Sequence, residues 1–141
     1  MKVSTDSVLL SCLTDLGNPR TILDIGTGTG LLALLSAEKY PEAAVTGAEI
    51  EEGAYLDAVD NFRESPYGGR LTAVHADVRE LRDALFDAII VNPPYFAGNA
   101  QELRSEARRT ARQDATLTNR DLRETAERLL REGGIIAICL P

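Results

Sequence analysis

Three acidic side chains and three glycines carry the first chemical signal in this chain. Asp24 closes a short apolar run, and Gly26, Gly28 and Gly30 follow it at every second position in "DIGTGTG". Glu49 comes about 20 residues later in "GAEI", the spacing at which a carboxylate meets a ribose. Asp77 lies in "HADV". Ordered glycine is entropically costly, so such a run implies a tight turn or a ligand laid against bare backbone. A dinucleotide fingerprint reads G-x-G-x-x-G and places its pyrophosphate on a helix N-terminus. Here an acid directly before the glycines would repel a pyrophosphate and suit a cationic amino group. The ligand these residues fit is a nucleoside bearing an amino acid. Glu49 is placed to accept both hydroxyls of its ribose. Asp77 is placed to accept from the exocyclic amine of adenine, with the Val78 backbone N–H against a ring nitrogen. Glu51 and Glu52 are rivals for the ribose, but the first turn of the next helix suits them better.

Such residues must sit at the carboxyl ends of parallel strands, where open α/β sheets bind ligands. The chain supplies those strands. Residues 21–25, 43–50, 71–77, 86–92 and 133–140 are apolar, β-branched and mostly not alternating, as strands buried on both faces should be. Helical stretches lie at about 5–16, 29–39, 51–64, 78–84 and 119–131. Thr118 or Asn119 is the expected cap of the last helix, and Gly133-Gly134 its stop. The alternation predicts an α/β fold with a parallel sheet of about five strands and helices on both faces. The irregular segment 93–119 is long for a connection, which marks it as functional or mobile.

Composition narrows the class. The 141 residues suit one domain, 1–141, with one core. No apolar run nears the roughly 18 residues of a membrane helix, and no signal peptide is evident. Cys12 and Cys139 stand far apart in apolar surroundings and read as buried free thiols in a reducing cytoplasm. No metal-ligand spacing is present, and the single His75 reads as structural. The net charge is −7, made of a balance of −8 in residues 1–100 and +1 in residues 101–141. The eight basic groups of the second part are all Arg. They fit a local anion-contacting face, or a solvated helix with pairs such as Glu124–Arg128 and Glu127–Arg131.

"LDIGTGTG", "GAEI" and "HADV" together resemble the motifs of class I S-adenosylmethionine-dependent methyltransferases. The resemblance covers nearly the whole chain. It implies a Rossmann-like, doubly wound sheet and S-adenosylmethionine as the cofactor. "VNPPYF" then resembles the catalytic motif of methyltransferases that act on planar nitrogens, in adenine, cytosine or glutamine amides. The lone pair of such a nitrogen is delocalised, so it is a poor nucleophile. Two acceptors on its NH₂ hydrogens, the Asn92 side-chain oxygen and the Pro93 carbonyl, would free the pair. Asn92 also borders the cofactor. Pro93 and Pro94 fix the backbone, Tyr95 would stack on the planar substrate, and Phe96 lies beside it.

"KVSTDSVLL", "ESPYGGRL", "NPPYF" and "RRTARQDATLTNRDL" are similar to segments of the bacterial tRNA adenine N(6)-methyltransferase family that acts on a valine tRNA. The resemblance implies tRNA as substrate. It also implies that Thr5 and Asp6 close over the methionine end of the cofactor, and that Arg104, Arg108, Arg109 and Arg112 touch phosphate. Gln113 stands where that family usually has His. The family's sheet has seven strands, and the last two have no counterpart here. The resemblance thus implies a domain lacking its C-terminal hairpin, whose uncovered edge on the fifth strand is an association liability, so the expected state is a monomer or weak dimer. A protein glutamine amide, as in release factors, is the alternative substrate, and a cofactor-binding domain without turnover the third reading.

Overall fold

A computed structural model describes residues 5–93 and 117–139. Five strands form one parallel sheet: β1 (Thr21–Ile25), β2 (Ala44–Glu49), β3 (Leu71–His75), β4 (Phe86–Val91) and β5 (Leu130–Ile138). Their order is β3-β2-β1-β4-β5, so the winding reverses between β1 and β4. The central strand β1 pairs with β2 on one side and β4 on the other, with Asp24 opposite both Gly47 and Ile90. A strand in that position has no exposed face, which is why "TILDI" is apolar throughout apart from its ends and Asp24.

Helices α1 (Thr5–Leu13), α2 (Leu31–Lys39), α3 (Glu52–Glu64) and α4 (Asn119–Leu129), with a short 3-10 turn at Gly68–Arg70, complete the described elements. Side chains alternate across the strands and feed two cores. Ile22, Val45 and Ile90 pack with Leu32, Ala33 and Phe62 on one face. Leu23, Ile25, Ile89 and Val91 pack with Leu122 and Leu129 of α4 on the other. A side-chain carbon added at Gly30 would lie 2.4 Å from the Phe62 ring. That glycine therefore lets the start of α2 approach α3.

The sheet, its parallel sense and the two helical layers agree with the sequence reading. Four details do not. Residues 78–84 form turns, with Asp83 at φ 61°, and not a helix. Two consecutive turns, Glu80 N–H to Asp77 O and Leu81 N–H to Val78 O, take up the first half of the stretch, and the rest is irregular. Thr118 does cap α4, through a capping box with Asp121, but Gly133-Gly134 lies inside β5 and does not stop the helix. The helix ends at Leu129, and Gly133, at φ 75°, sits where the β4–β5 register shifts. Cys12 is exposed, on the outer side of α1. The arginines of α4 pair one turn differently from expectation. Arg120 meets Glu124 at 2.8 Å and Arg123 meets Glu127 at 3.0 Å. Arg128 turns inward instead, and Arg131 reaches Asp87 at 3.2 Å.

Candidate functional site

The glycine loop leaves β1 at the centre of the sheet and bends back to start α2. Gly26 and Thr27 both donate their N–H groups to the Ala48 carbonyl, at 2.9 and 3.1 Å, which ties the loop to the end of β2. Gly26 and Gly28 have φ values of 67° and 58°, a region that side chains rarely adopt. A side-chain carbon added at either would meet no heavy atom of the described residues within 4 Å. The glycines are thus required by conformation, and they leave open backbone on the ligand side of the loop.

Asp24 lies beneath this loop with 1% of its surface exposed. Its Oδ2 accepts from the Thr27 hydroxyl at 2.6 Å. Burial pushes its carboxyl up to about 7 from the ordinary 3.8, and the nearby Glu49 adds to the rise, while the Thr27 bond opposes it. Thr27 had no signal in the sequence beyond its place between two glycines. The structure puts Asp24 under the loop rather than in its wall.

Glu49 ends β2 and turns its side chain across to the loop. One oxygen accepts from Gly28 N at 2.8 Å. The other accepts from Ile50 N at 2.9 Å and Glu51 N at 3.0 Å. Two carboxyl oxygens offer about four acceptor positions, so one remains, on the oxygen facing the loop. Glu51 is the N-cap of α3, and its side chain accepts from Gly53 and Ala54. This capping role removes it as a rival of Glu49. Ile50, between them, is an apolar side chain 44% exposed at the rim. The exposed isoleucine directly after a strand-end acid is a signal that the sequence reading passed over.

At the end of β3, both oxygens of Asp77 are held by the Arg79 guanidinium, with contacts of 2.9 and 3.0 Å from Nε and 2.5 Å from Nη2. The bond from Arg79 holds this carboxyl below the usual range. Val78 is buried, and its carbonyl accepts from Arg128 of α4 at 2.8 Å, as Leu81 O does at 3.0 Å. His75 ends β3; its ring stacks on Tyr55 with centroids 5.2 Å apart, and Nε2 lies 3.0 Å from Ile50 O.

The register Ile25↔Val91 sets the next residue of each strand exit side by side, so Asn92 leaves β4 beside Gly26. The Asn92 amide nitrogen donates to the Ser7 hydroxyl of α1 at 2.9 Å. Pro93 follows in irregular backbone. Thr5 opens α1 and is exposed, as is Asp6. Pro94, Tyr95, Phe96, Arg104, Arg108, Arg109, Arg112 and Gln113 lie outside the described residues. Among the described residues, no three His, Cys, Asp or Glu side chains cluster as a metal site. No described helix is long and apolar enough to cross a membrane.

A parallel sheet in this order, with a glycine loop at the centre and an acid at the end of β2, is the fold of class I methyltransferases. YjhP of E. coli shares it, with a TM-score of 0.68 at 17% identity over 97% of this chain and 49% of its own. The glycopeptide N-methyltransferase MtfA does so at 0.64 and 20%, over 95% of this chain and 51% of its own. The profile of the methyltransferase small domain family matches residues 4–140, and the chain belongs to that family. It is similar to a tRNA1(Val) (adenine(37)-N6)-methyltransferase of Vibrio cholerae serotype O1, 41% identical over 142 residues. A protein of the same name from Flavobacterium psychrophilum is 41% identical over 145 residues. Both matches cover all of this chain, which spans 59% and 62% of the length of these two relatives. The resemblance seen in the motifs is thereby borne out.

Proposed function

We propose that this chain binds S-adenosylmethionine and directs its methyl group to adenine N(6) in a tRNA. The observation that carries the reading is the register at the centre of the sheet. Ile25 pairs with Val91, so β1 and β4 leave the sheet as neighbours, which supports a methyl donor on the glycine loop meeting an acceptor nitrogen at Asn92. The names of the relatives favour tRNA over a protein amide.

The residues present fit the cofactor. The bare backbone at Gly26 and Gly28 would admit a ligand at contact distance, and the remaining acceptor position of Glu49 would take a ribose hydroxyl. A contact with both hydroxyls would require that oxygen to release Gly28 N. Ile50 offers an apolar face for the adenine ring. Asp24 acts from below: an ammonium group above the loop favours its charged form and draws its pKa down. Asp77 reaches an adenine amine only through whatever acceptor capacity Arg79 leaves it. When bound, the cofactor supplies an electrophilic methyl group.

The chain's own residues prepare the nucleophile. Asn92 Oδ1 and the Pro93 carbonyl accept the two hydrogens of the substrate amine, which localises the nitrogen lone pair. Tyr95, by its place in the motif, stacks on the base, and an anticodon-loop adenine is splayed out at small cost. Arg104, Arg108, Arg109 and Arg112 supply phosphate contacts. Alignment of nitrogen and methyl provides much of the remaining acceleration.

The test is transfer of labelled methyl from S-adenosylmethionine to unmodified bacterial tRNA, with a release-factor fragment in parallel. Label recovered from the tRNA as N(6)-methyladenosine is the expected result. Label in the protein alone would overturn the substrate, and no transfer to either, with cofactor bound, would overturn the enzyme reading for this chain.

A further inference from the structure

The helix α1 has five apolar or weakly polar side chains, Val8, Leu9, Leu10, Cys12 and Leu13, yet the residue it buries is Ser7. Leu9 and Leu13 remain 50% and 82% exposed while Ser7 is 7% exposed. Leu10 of the same helix packs partly buried against the core, and the most buried position beside it is taken by a hydroxyl, a departure from the ordinary rule of burial of the kind that concentrates at functional sites. A buried hydroxyl also costs free energy unless it is hydrogen-bonded. Ser7 Oγ meets the Asn92 side-chain amide at 2.9 Å, across 85 residues of sequence. The amide end that donates there is Nδ2, which leaves Oδ1 outside this contact.

We propose that Ser7 is a positioning residue for Asn92, on the reading that Asn92 accepts from the substrate amine. An unrestrained amide rotates between orientations that present oxygen or NH₂. The second would set donors against the donors of the substrate. By holding Nδ2, Ser7 keeps the acceptor oxygen available and fixes the side-chain rotamer. It thereby couples α1 to the end of β4 and makes the helix part of the reaction centre.

Two measurements on the full chain test this. In a ¹⁵N spectrum, the Asn92 side-chain NH₂ pair is identified by its loss in Asn92→Asp. Ser7→Ala should shift that pair and speed its exchange with water, and Ser7→Thr should leave it near its original place. An unmoved pair in Ser7→Ala would overturn the contact whether or not the chain transfers methyl. In the transfer assay, Ser7→Ala should lower kcat by about tenfold, the scale of one lost hydrogen bond, with KM for S-adenosylmethionine unchanged. Ser7→Thr should restore it. On an Asn92→Ala background the Ser7→Ala change should have no further effect. An equal loss on both backgrounds, or a kcat within twofold of the parent, would overturn the positioning role. Alanine keeps the small size of serine, so retained activity would assign the site to packing. If the parent chain transfers no methyl at all, the enzyme reading falls, and the amide pair still decides the contact.

Discussion

The two sides of the ligand-facing rim are built differently. At the β1–β2 end, the loop and Glu49 are joined by bonds between near neighbours in the fold: Gly26 and Thr27 to Ala48, Gly28 to Glu49, Glu49 to Ile50 and Glu51. At the β3 and β4 ends, Asp77 is held by Arg79 close by, but Asn92 and the Val78 carbonyl are fixed from elsewhere in the chain. Ser7 holds Asn92 over 85 residues, and Arg128 holds Val78 O over 50. The first side is a preformed binding surface. The second depends on the docking of two helices, α1 and α4. Cofactor affinity should therefore follow the first side, with a smaller contribution from the β3 end, and turnover should follow the β4 end.

The largest expected effect breaks the comparison most directly. Asn92→Ala should lower turnover by at least ~100-fold, about 3 kcal/mol, while the cofactor dissociation constant stays within a few-fold. A parallel loss of binding in titration calorimetry would merge the two sides. Glu49→Ala acts on the other side and removes the acceptor of three backbone N–H groups. Cofactor affinity should weaken by about 30-fold, roughly 2 kcal/mol. An unchanged dissociation constant would move the ribose contact elsewhere.

Asp24 sharpens the first side through pH. Its carboxyl keeps its proton to about 7 when folded and releases it near 3.8 when unfolded. At this group the folded state therefore binds more protons between those values, and Asp24's contribution to stability falls as pH rises from 3.8 toward about 7. Asp24→Asn keeps an oxygen for the Thr27 hydroxyl and removes the buried charge. At pH 8, denaturant unfolding of the ligand-free protein should show it more stable by about 2 kcal/mol, with the pH slope gone. Its affinity for the cofactor should fall, because the ammonium group loses its counter-charge. A variant that binds as well as the parent would leave Asp24 a structural acid only. The smallest effect is that of Arg128→Gln, which frees the Val78 and Leu81 carbonyls. It should lower stability by about 1 kcal/mol and weaken cofactor binding a few-fold, measured by thermal shift and calorimetry.

Much of this was legible in the sequence. The strands could be read because burial on both faces demands continuous apolar runs, and the glycine loop because the backbone angles at Gly26 and Gly28 exclude side chains. Asn92 could be read from its motif. Each of those signals is local, since it constrains residues within a few positions of one another. Ser7 and the inward turn of Arg128 could not be read that way; Thr27 and Ile50 adjoin readable residues but were not singled out. Serine in a helix, threonine between glycines, isoleucine after a strand and arginine on a charged face have ordinary local explanations. The roles of Ser7 and Arg128 arise only once folding sets α1 against the end of β4 and α4 against the turn after β3. The same holds for Cys12, whose apolar neighbours suggested burial that the helix orientation denies. The sequence by itself determined the elements, the loop and the acids at the strand ends, because period and backbone sterics act at short range. Tertiary structure alone decided which polar groups meet, because a hydrogen bond depends on distance in space and not on separation along the chain.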